Sequence, residues 1–126
     1  MSALPLSHIL LTVSDLERAR AFYEGLLGFE VVDFSLEHSY FFFMTGDVSI
    51  WVITHEQTPP DDRFSEFRIG LDHLSFAAPD EKWLREMADK LIAAGVDTKG
   101  VETFATGNLY MAFRDPDNIQ LEYWLA

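Results

Sequence analysis

Leu71-Asp72-His73-Leu74-Ser75-Phe76-Ala77-Ala78-Pro79-Asp80 repeats the sense of Leu6-Ser7-His8-Ile9-Leu10-Leu11-Thr12-Val13-Ser14-Asp15, with a histidine near the start of each run and an aspartate seven residues later. Internal self-similarity of this kind sets the architecture before any single element is assigned. Within the first run Ile9, Leu11 and Val13 fall on one face and His8, Leu10 and Thr12 on the other, the two-residue period of a strand. The second run alternates in the same way, so each half of the chain opens with a strand.

Moving outward, Ser14-Asp15-Leu16-Glu17 has the spacing of a capping box, with Ser14 three residues ahead of Glu17. Leu16, Ala19, Phe22, Tyr23, Leu26 and Leu27 then recur at helical spacing, and Gly28 supplies a left-handed stop. Gly25 inside that helix costs about 1 kcal/mol relative to alanine. Residues 29–36, 39–45 and 48–55 read as strands, the last two separated by Gly46-Asp47 in a hairpin-sized gap. Residues 58–65, with Pro59-Pro60 and Asp61-Asp62, read as a linker. After it, Trp83, Leu84, Met87, Leu91 and Ile92 form a second amphipathic helix that Gly95 ends, and residues 96–101, 109–114 and 119–125 are the remaining strands. The expected fold is α+β: one domain over 1–126, made of two βαβββ modules at about 5–56 and 70–126, in a cup-shaped mixed sheet with helices on the outer face.

The last stretch, Phe113-Arg114-Asp115-Pro116-Asp117-Asn118-Ile119-Gln120-Leu121-Glu122-Tyr123-Trp124, is a turn feeding a strand. Pro116 presets φ, Asp115 can bond its own downstream backbone, and Asn118 tolerates φ > 0. Alternation expects Ile9, Leu11, Val13, Leu74, Phe76, Ile119, Leu121 and Tyr123 under the helices. The open face then carries His8, Leu10, Thr12, His73, Ser75, Gln120, Glu122 and Trp124. A carboxylate in mid-strand, as Glu122 is, is either solvated or held there for a purpose.

Composition narrows the function classes. The 126 residues are 48% hydrophobic, enough for one real core, and 21 acidic against 9 basic residues leave a net charge of −12. That balance works against nucleic acid and against an anionic membrane surface. There is no apolar run long enough to span a bilayer and no signal-peptide pattern, so a cytoplasmic protein is expected, in keeping with the absence of cysteine.

His8, His73 and Glu122 share the expected open face, the two histidines at matched positions of the repeat. Two imidazoles and a carboxylate suit Zn²⁺, Fe²⁺, Mn²⁺ or Ni²⁺ and leave coordination positions for water and substrate. The counter-reading for each histidine is a satisfied structural or surface residue. Counting from the helix stops, Glu122 lies 27 residues after Gly95, and 27 residues after Gly28 is His55, which makes His55 a candidate fourth ligand.

Leu6 to Phe29, Leu71-Asp72-His73, and Asp115-Pro116-Asp117-Asn118 leading to Glu122 together resemble the vicinal oxygen chelate superfamily, which includes glyoxalase I, fosfomycin-resistance proteins, extradiol dioxygenases and bleomycin-binding proteins. The resemblance implies paired βαβββ modules, often in a homodimer, and metal ligands at His8, His73 and Glu122, with a fourth toward the end of the first module. Glyoxalase I has a glutamate in that region, whereas this chain has no carboxylate at the register of His55, since Glu56 is one residue out. The expected function is a divalent-metal-dependent lyase, isomerase or dioxygenase acting on a small oxygenated molecule. Glu122 and Tyr110 are the candidates for proton transfer, and Tyr40, Phe42, Trp51, Arg114 and Trp124 the candidates for substrate contact. The alternative is a non-catalytic binding protein of the bleomycin-resistance type, in which an aromatic crevice and an acidic surface sequester a cationic drug.

Overall fold

A computed structural model describes residues 3–126 of the chain. Two compact units divide it, Met1–Asp62 and Arg63–Ala126. Each contains one βαβββ module and its own four-stranded mixed sheet, so the expected mixed sheet is carried as two sheets.

In the first unit β1 (His8–Thr12) leads into α1 (Leu16–Arg20), which continues as a π-helix over Ala21–Leu26, and β2 (Val31–Ser35), β3 (Tyr40–Thr45) and β4 (Val48–Ile53) follow. The strand order is β1-β4-β3-β2. β1 and β4 are parallel and the other pairs antiparallel. The helix is capped by Asp15, where Ser14 was expected: Asp15 is extended (φ −143°, ψ 116°) and its carboxylate accepts from the Arg18 N–H at 2.8 Å. Ser14 is engaged elsewhere, its hydroxyl accepting from the Arg18 guanidinium at 2.6 Å. A charged acceptor one residue nearer the helix outcompetes the hydroxyl. The π-helical turn runs through Gly25, and Phe22, Tyr23 and Leu27 are buried along it. Gly28 stops it with φ +84°.

The core of this unit is aromatic. Tyr23 and Phe29 stack on Phe43 with ring centroids 5.8 and 4.3 Å apart, and Phe41, Phe43, Ile50 and Val52 are buried beneath. Each such side chain stabilises the fold by about 1.5–3 kcal/mol. The opposite face presents His8, Leu10 and Thr12 opposite Ser49, Trp51 and Ile53 of β4, which in turn face Met44, Phe42 and Tyr40 of β3.

The second unit repeats the plan with β5 (Leu74–Ala77), α2 (Glu81–Ala93), β6 (Glu102–Thr103), β7 (Leu109–Arg114) and β8 (Gln120–Trp124), in the order β5-β8-β7-β6. Asp80 caps α2 by accepting from the Trp83 N–H at 2.8 Å. The aspartate of each repeat run is thus a helix cap, which explains its constant spacing. A continuous strand over residues 96–101 does not form: only Thr98 bridges Phe113, and Gly100, at φ +75°, breaks the extended run before β6. Under α2, Trp83 meets Tyr123 edge-on at 4.9 Å and Phe113 stacks on Tyr123 at 4.9 Å. Leu121 and Tyr123 are buried, as alternation expects, while Leu74 and Phe76 are half-buried.

Candidate functional site

The site of the second unit is a grid laid out by strand register. On the open face of its sheet, Glu102, Tyr110 and Trp124 form one row across β6, β7 and β8. Ala112, Glu122 and Ser75 form the next, and Arg114 and Gln120 the third, with His73 just ahead of β5. The register is held by the β7–β8 turn. Asp115, 5% exposed, accepts with one oxygen from the N–H groups of Asp117 and Ile119, both at 2.8 Å, and Asn118 adopts φ +70°. A one-residue slip of β8 would send Glu122 into the core and Leu121 into the open.

The residues of these rows, Ser75 excepted, line a cavity of about 660 Å³ together with Asp72, Asp97, Thr98, Lys99 and Phe104. Glu122 is 15% exposed and therefore not a solvated carboxylate. Its Oε1 accepts from the Ser75 hydroxyl at 2.8 Å, and its Oε2 lies 3.7 Å from His73 Nε2. His73 Nδ1 sits 2.6 Å from Asp72 Oδ1, and the Gln120 amide donates to the same carboxylate oxygen at 3.0 Å. The ring thus turns Nδ1 to Asp72 and Nε2 to Glu122, the roles of the two nitrogens depending on the tautomer. At 3.7 Å Nε2 and Oε2 are beyond hydrogen-bond reach.

Arg114 lines the same cavity, but its guanidinium is held by both oxygens of Glu66, with Nη1 donating at 3.0 Å to Oε1. That pairing pulls the Glu66 carboxyl down to about 2, and it raises Arg114. Burial, with the charges of Glu102 and Glu122, raises the Tyr110 phenol above its ordinary value. Phe104 packs edge-on against Trp124 at 5.5 Å and against Tyr110 at 6.2 Å, and Tyr110 stacks on Trp124 at 6.2 Å.

Of the residues singled out from the sequence, His73, Glu122, Tyr110, Trp124 and Arg114 converge on this cavity. His8, Tyr40, Phe42 and Trp51 lie on the open face of the first unit, where Phe42 and Trp51 stack at 4.3 Å and the Tyr40 hydroxyl donates to Asp33 at 2.6 Å. His8 Nδ1 is 2.9 Å from the Ser7 hydroxyl. His55 is exposed beyond the end of β4, and it is not the repeat mate of Glu122. Leu10, two residues after His8, pairs with Trp51, and Ser75, two after His73, pairs with Glu122, so Trp51 holds the matching position. Counting from the glycines fails because the spans differ, 23 residues from Gly28 to Trp51 against 27 from Gly95 to Glu122. Sequence reading gave no role to Asp72, Ser75, Gln120 or Glu66. Adjacency to His73 and placement on the same face were the available signals for the first three, whereas nothing in the sequence pairs Glu66 with Arg114 across 48 residues.

The donor chemistry of this dyad fits a divalent ion. An imidazole has its second nitrogen fixed by a carboxylate, and a carboxylate has its second oxygen fixed by a hydroxyl, the outer-shell arrangement that orients metal ligands. Ligands bound at about 2.1 Å to one ion stand about 3.0–3.4 Å apart, close to the spacing of His73 Nε2 and Glu122 Oε2. Among the described residues, no group of three or more His, Cys, Asp or Glu side chains converges to hold a metal. The second unit supplies His73 and Glu122 as its two candidate donors.

A model of the Glyoxalase/Bleomycin resistance protein/Dioxygenase superfamily matches residues 6–123. An uncharacterised protein of Bacillus subtilis (strain 168), YwkD, is 29% identical over 128 residues, covering 93% of each chain. The crystal structure of a glyoxylase/bleomycin resistance protein/dioxygenase domain from Frankia sp. EAN1pec is 31% identical, with a TM-score of 0.84 over 99% of this chain and 93% of that one. Lactoylglutathione lyase from Agrobacterium tumefaciens is 20% identical with a TM-score of 0.76, over 99% and 96% of the two chains, a likeness of fold.

Proposed function

The chain belongs to the Glyoxalase/Bleomycin resistance protein/Dioxygenase superfamily, and on that premise we propose that it is a divalent-metal-dependent enzyme acting on a small oxygenated molecule. The observation that carries this reading is the His73–Glu122 pair, Nε2 and Oε2 facing one another at 3.7 Å with their outer atoms fixed by Asp72 and Ser75. His73 and Glu122 are the proposed ligands, with His8, at the matched position of the first module, as the second imidazole. A homodimer in the cytoplasm is part of the same proposal.

When bound, such an ion supplies Lewis-acid polarisation of a substrate oxygen. The chain's own groups supply the rest. Ser75 holds Glu122 Oε1, so that Oε2 is the carboxylate atom turned toward His73 and left to hold the ion; Glu122 could take a proton from substrate only by releasing it. Asp72 and Gln120 keep the His73 ring in one orientation. The Tyr110 phenol is held protonated by burial, by the charge of Glu102 and by its hydrogen bond to Glu102, and it would serve as a proton donor by turning from that carboxylate to the substrate. Trp124 and Phe104 supply an apolar wall at one end of the cavity.

The test is elemental analysis of protein purified without an affinity tag after growth with zinc, iron, manganese and nickel. About one ion per chain is expected, with affinity reduced at least about 100-fold in His73→Ala and Glu122→Ala. Wild-type protein that binds a small molecule while holding no metal would replace this reading with the sequestering one.

A further inference from the structure

We propose that the end of the second-unit cavity bounded by Glu102, Phe104, Tyr110 and Trp124 is a subsite for a cationic nitrogen, so that the substrate is a small oxygenated molecule carrying an ammonium group. The proposal deepens the functional reading above and rests on it only for which end of the molecule reacts.

Three independent features of the structure carry it. The first is the aromatic wall. Trp124 is flanked by Tyr110, stacked at 6.2 Å, and by Phe104, edge-on at 5.5 Å, and all three line the cavity, with Phe104 half exposed. Aromatic faces attract a desolvated cation and offer an anion nothing. The second is charge. Glu102 stands directly beside Tyr110 in the β6–β7 register, and Glu122 is one row away. The raised phenol of Tyr110 reports burial first and then the field of these two carboxylates. The third is the neutralisation of Arg114, whose fork is occupied by Glu66, so the guanidinium at the other end is not offered to an anionic substrate. Lys99 also lines the cavity, where Asp72, Asp97, Glu102 and Glu122 outnumber it.

The grid also gives the substrate a length. Ala112, a single methyl, occupies the centre of the face between Tyr110 and Arg114 and leaves the floor open there. The Trp124 row is two residues from the Glu122 row, a separation of about 6.8 Å along the strand. The ammonium group would therefore lie about that far from the oxygen atoms engaged at His73 and Glu122.

The experiment titrates the full-length, metal-replete protein with choline and with 3,3-dimethylbutan-1-ol, its uncharged carbon isostere. Binding is followed at the tryptophan indole N–H resonances, with Trp124→Phe used to assign the Trp124 signal. Choline is expected to perturb the Trp124 resonance and to bind about 10-fold tighter than the isostere. In Glu102→Gln, a neutral variant of the same shape, that preference should fall about 3-fold, the aromatic wall keeping the remainder. Equal affinity for the two probes overturns the proposal, as does choline binding that leaves Trp124 undisturbed, or no choline binding up to about 100 mM. His73→Ala separates the two readings. Loss of metal with choline preference retained supports both, whereas a metal-free wild type that still prefers choline removes the functional reading and leaves the subsite standing.

Discussion

Replacing Asp115 with alanine should cost about 3 kcal/mol of stability and should displace Glu122. Asp115 is a buried carboxylate, and one of its oxygens accepts from two backbone N–H groups, those of Asp117 and Ile119, at 2.8 Å each. A hydrogen bond to a charged group contributes about 1.5–3 kcal/mol, so two bonds set an upper bound of about 6. The Asp117 N–H, on a half-buried residue, can recover a bond to water, which removes most of one contribution. The Ile119 N–H is buried and would be left without its acceptor, a loss of about 1–3 kcal/mol on its own account. With a urea slope of about 1.5 kcal/mol per molar, a loss of 3 kcal/mol lowers the unfolding midpoint by about 2 M. Asp115→Asn keeps an oxygen in place and loses only the charge, so it should cost about 1 kcal/mol. The assay is urea unfolding of the three proteins followed by tryptophan fluorescence, with the Trp124 indole resonance of the folded variants as a register check. A midpoint unchanged in Asp115→Ala, or an equal loss in the asparagine variant, would refute the reasoning that one anchored acceptor sets the β7–β8 turn.

Two further outcomes follow from the same structure. Arg114 holds the Glu66 carboxyl at about 2, below its unfolded value near 4.5, so the pair's contribution is fully present above pH 4.5 and is lost as pH falls from there through 2. Unfolding midpoints measured between pH 5 and 2 should fall more steeply in wild type than in Glu66→Gln, and identical slopes would deny the linkage. Gly28 and Gly25 should respond to alanine with opposite signs: nothing lies within 4 Å of a Cβ at either site, but only Gly28 has a left-handed backbone, at φ +84°. Gly28→Ala is expected to cost about 1–2 kcal/mol and Gly25→Ala to be neutral or stabilising by up to about 1 kcal/mol, as thermal unfolding of each would record.

The two modules, their helices and the face carrying Glu122 were legible in the sequence because each is a local, periodic signal. Strand alternation placed Leu121 and Tyr123 in the core and Glu122 in the open, and left-handed stops fell at Gly28 and Gly95. The repeat was read correctly as a repeat but incorrectly in its register. A count from glycine to site assumes equal spans, and only the pairing of Leu10 with Trp51 and of Ser75 with Glu122 shows that the spans differ. The cap at Asp15 was missed because only Ser14 has a glutamate three residues on, whereas the backbone makes Asp15 the last extended residue before the helix and so brings its carboxylate to the Arg18 N–H.

By itself, then, the sequence determined which residues could do chemistry: His73, Glu122, Tyr110 and Trp124 were chosen by side-chain type and by a two-residue period that the pleat enforces. Tertiary structure decided what holds them. Ser75 on the Glu122 carboxylate and Glu66 on the Arg114 guanidinium are contacts between strands or between a loop and a strand, 47 and 48 residues apart. No local pattern encodes such partners, because a hydrogen bond is selected by position in space and not by distance along the chain. That is also why Arg114, which sequence alone offers as a cation for substrate, stands in the folded protein as half of an ion pair.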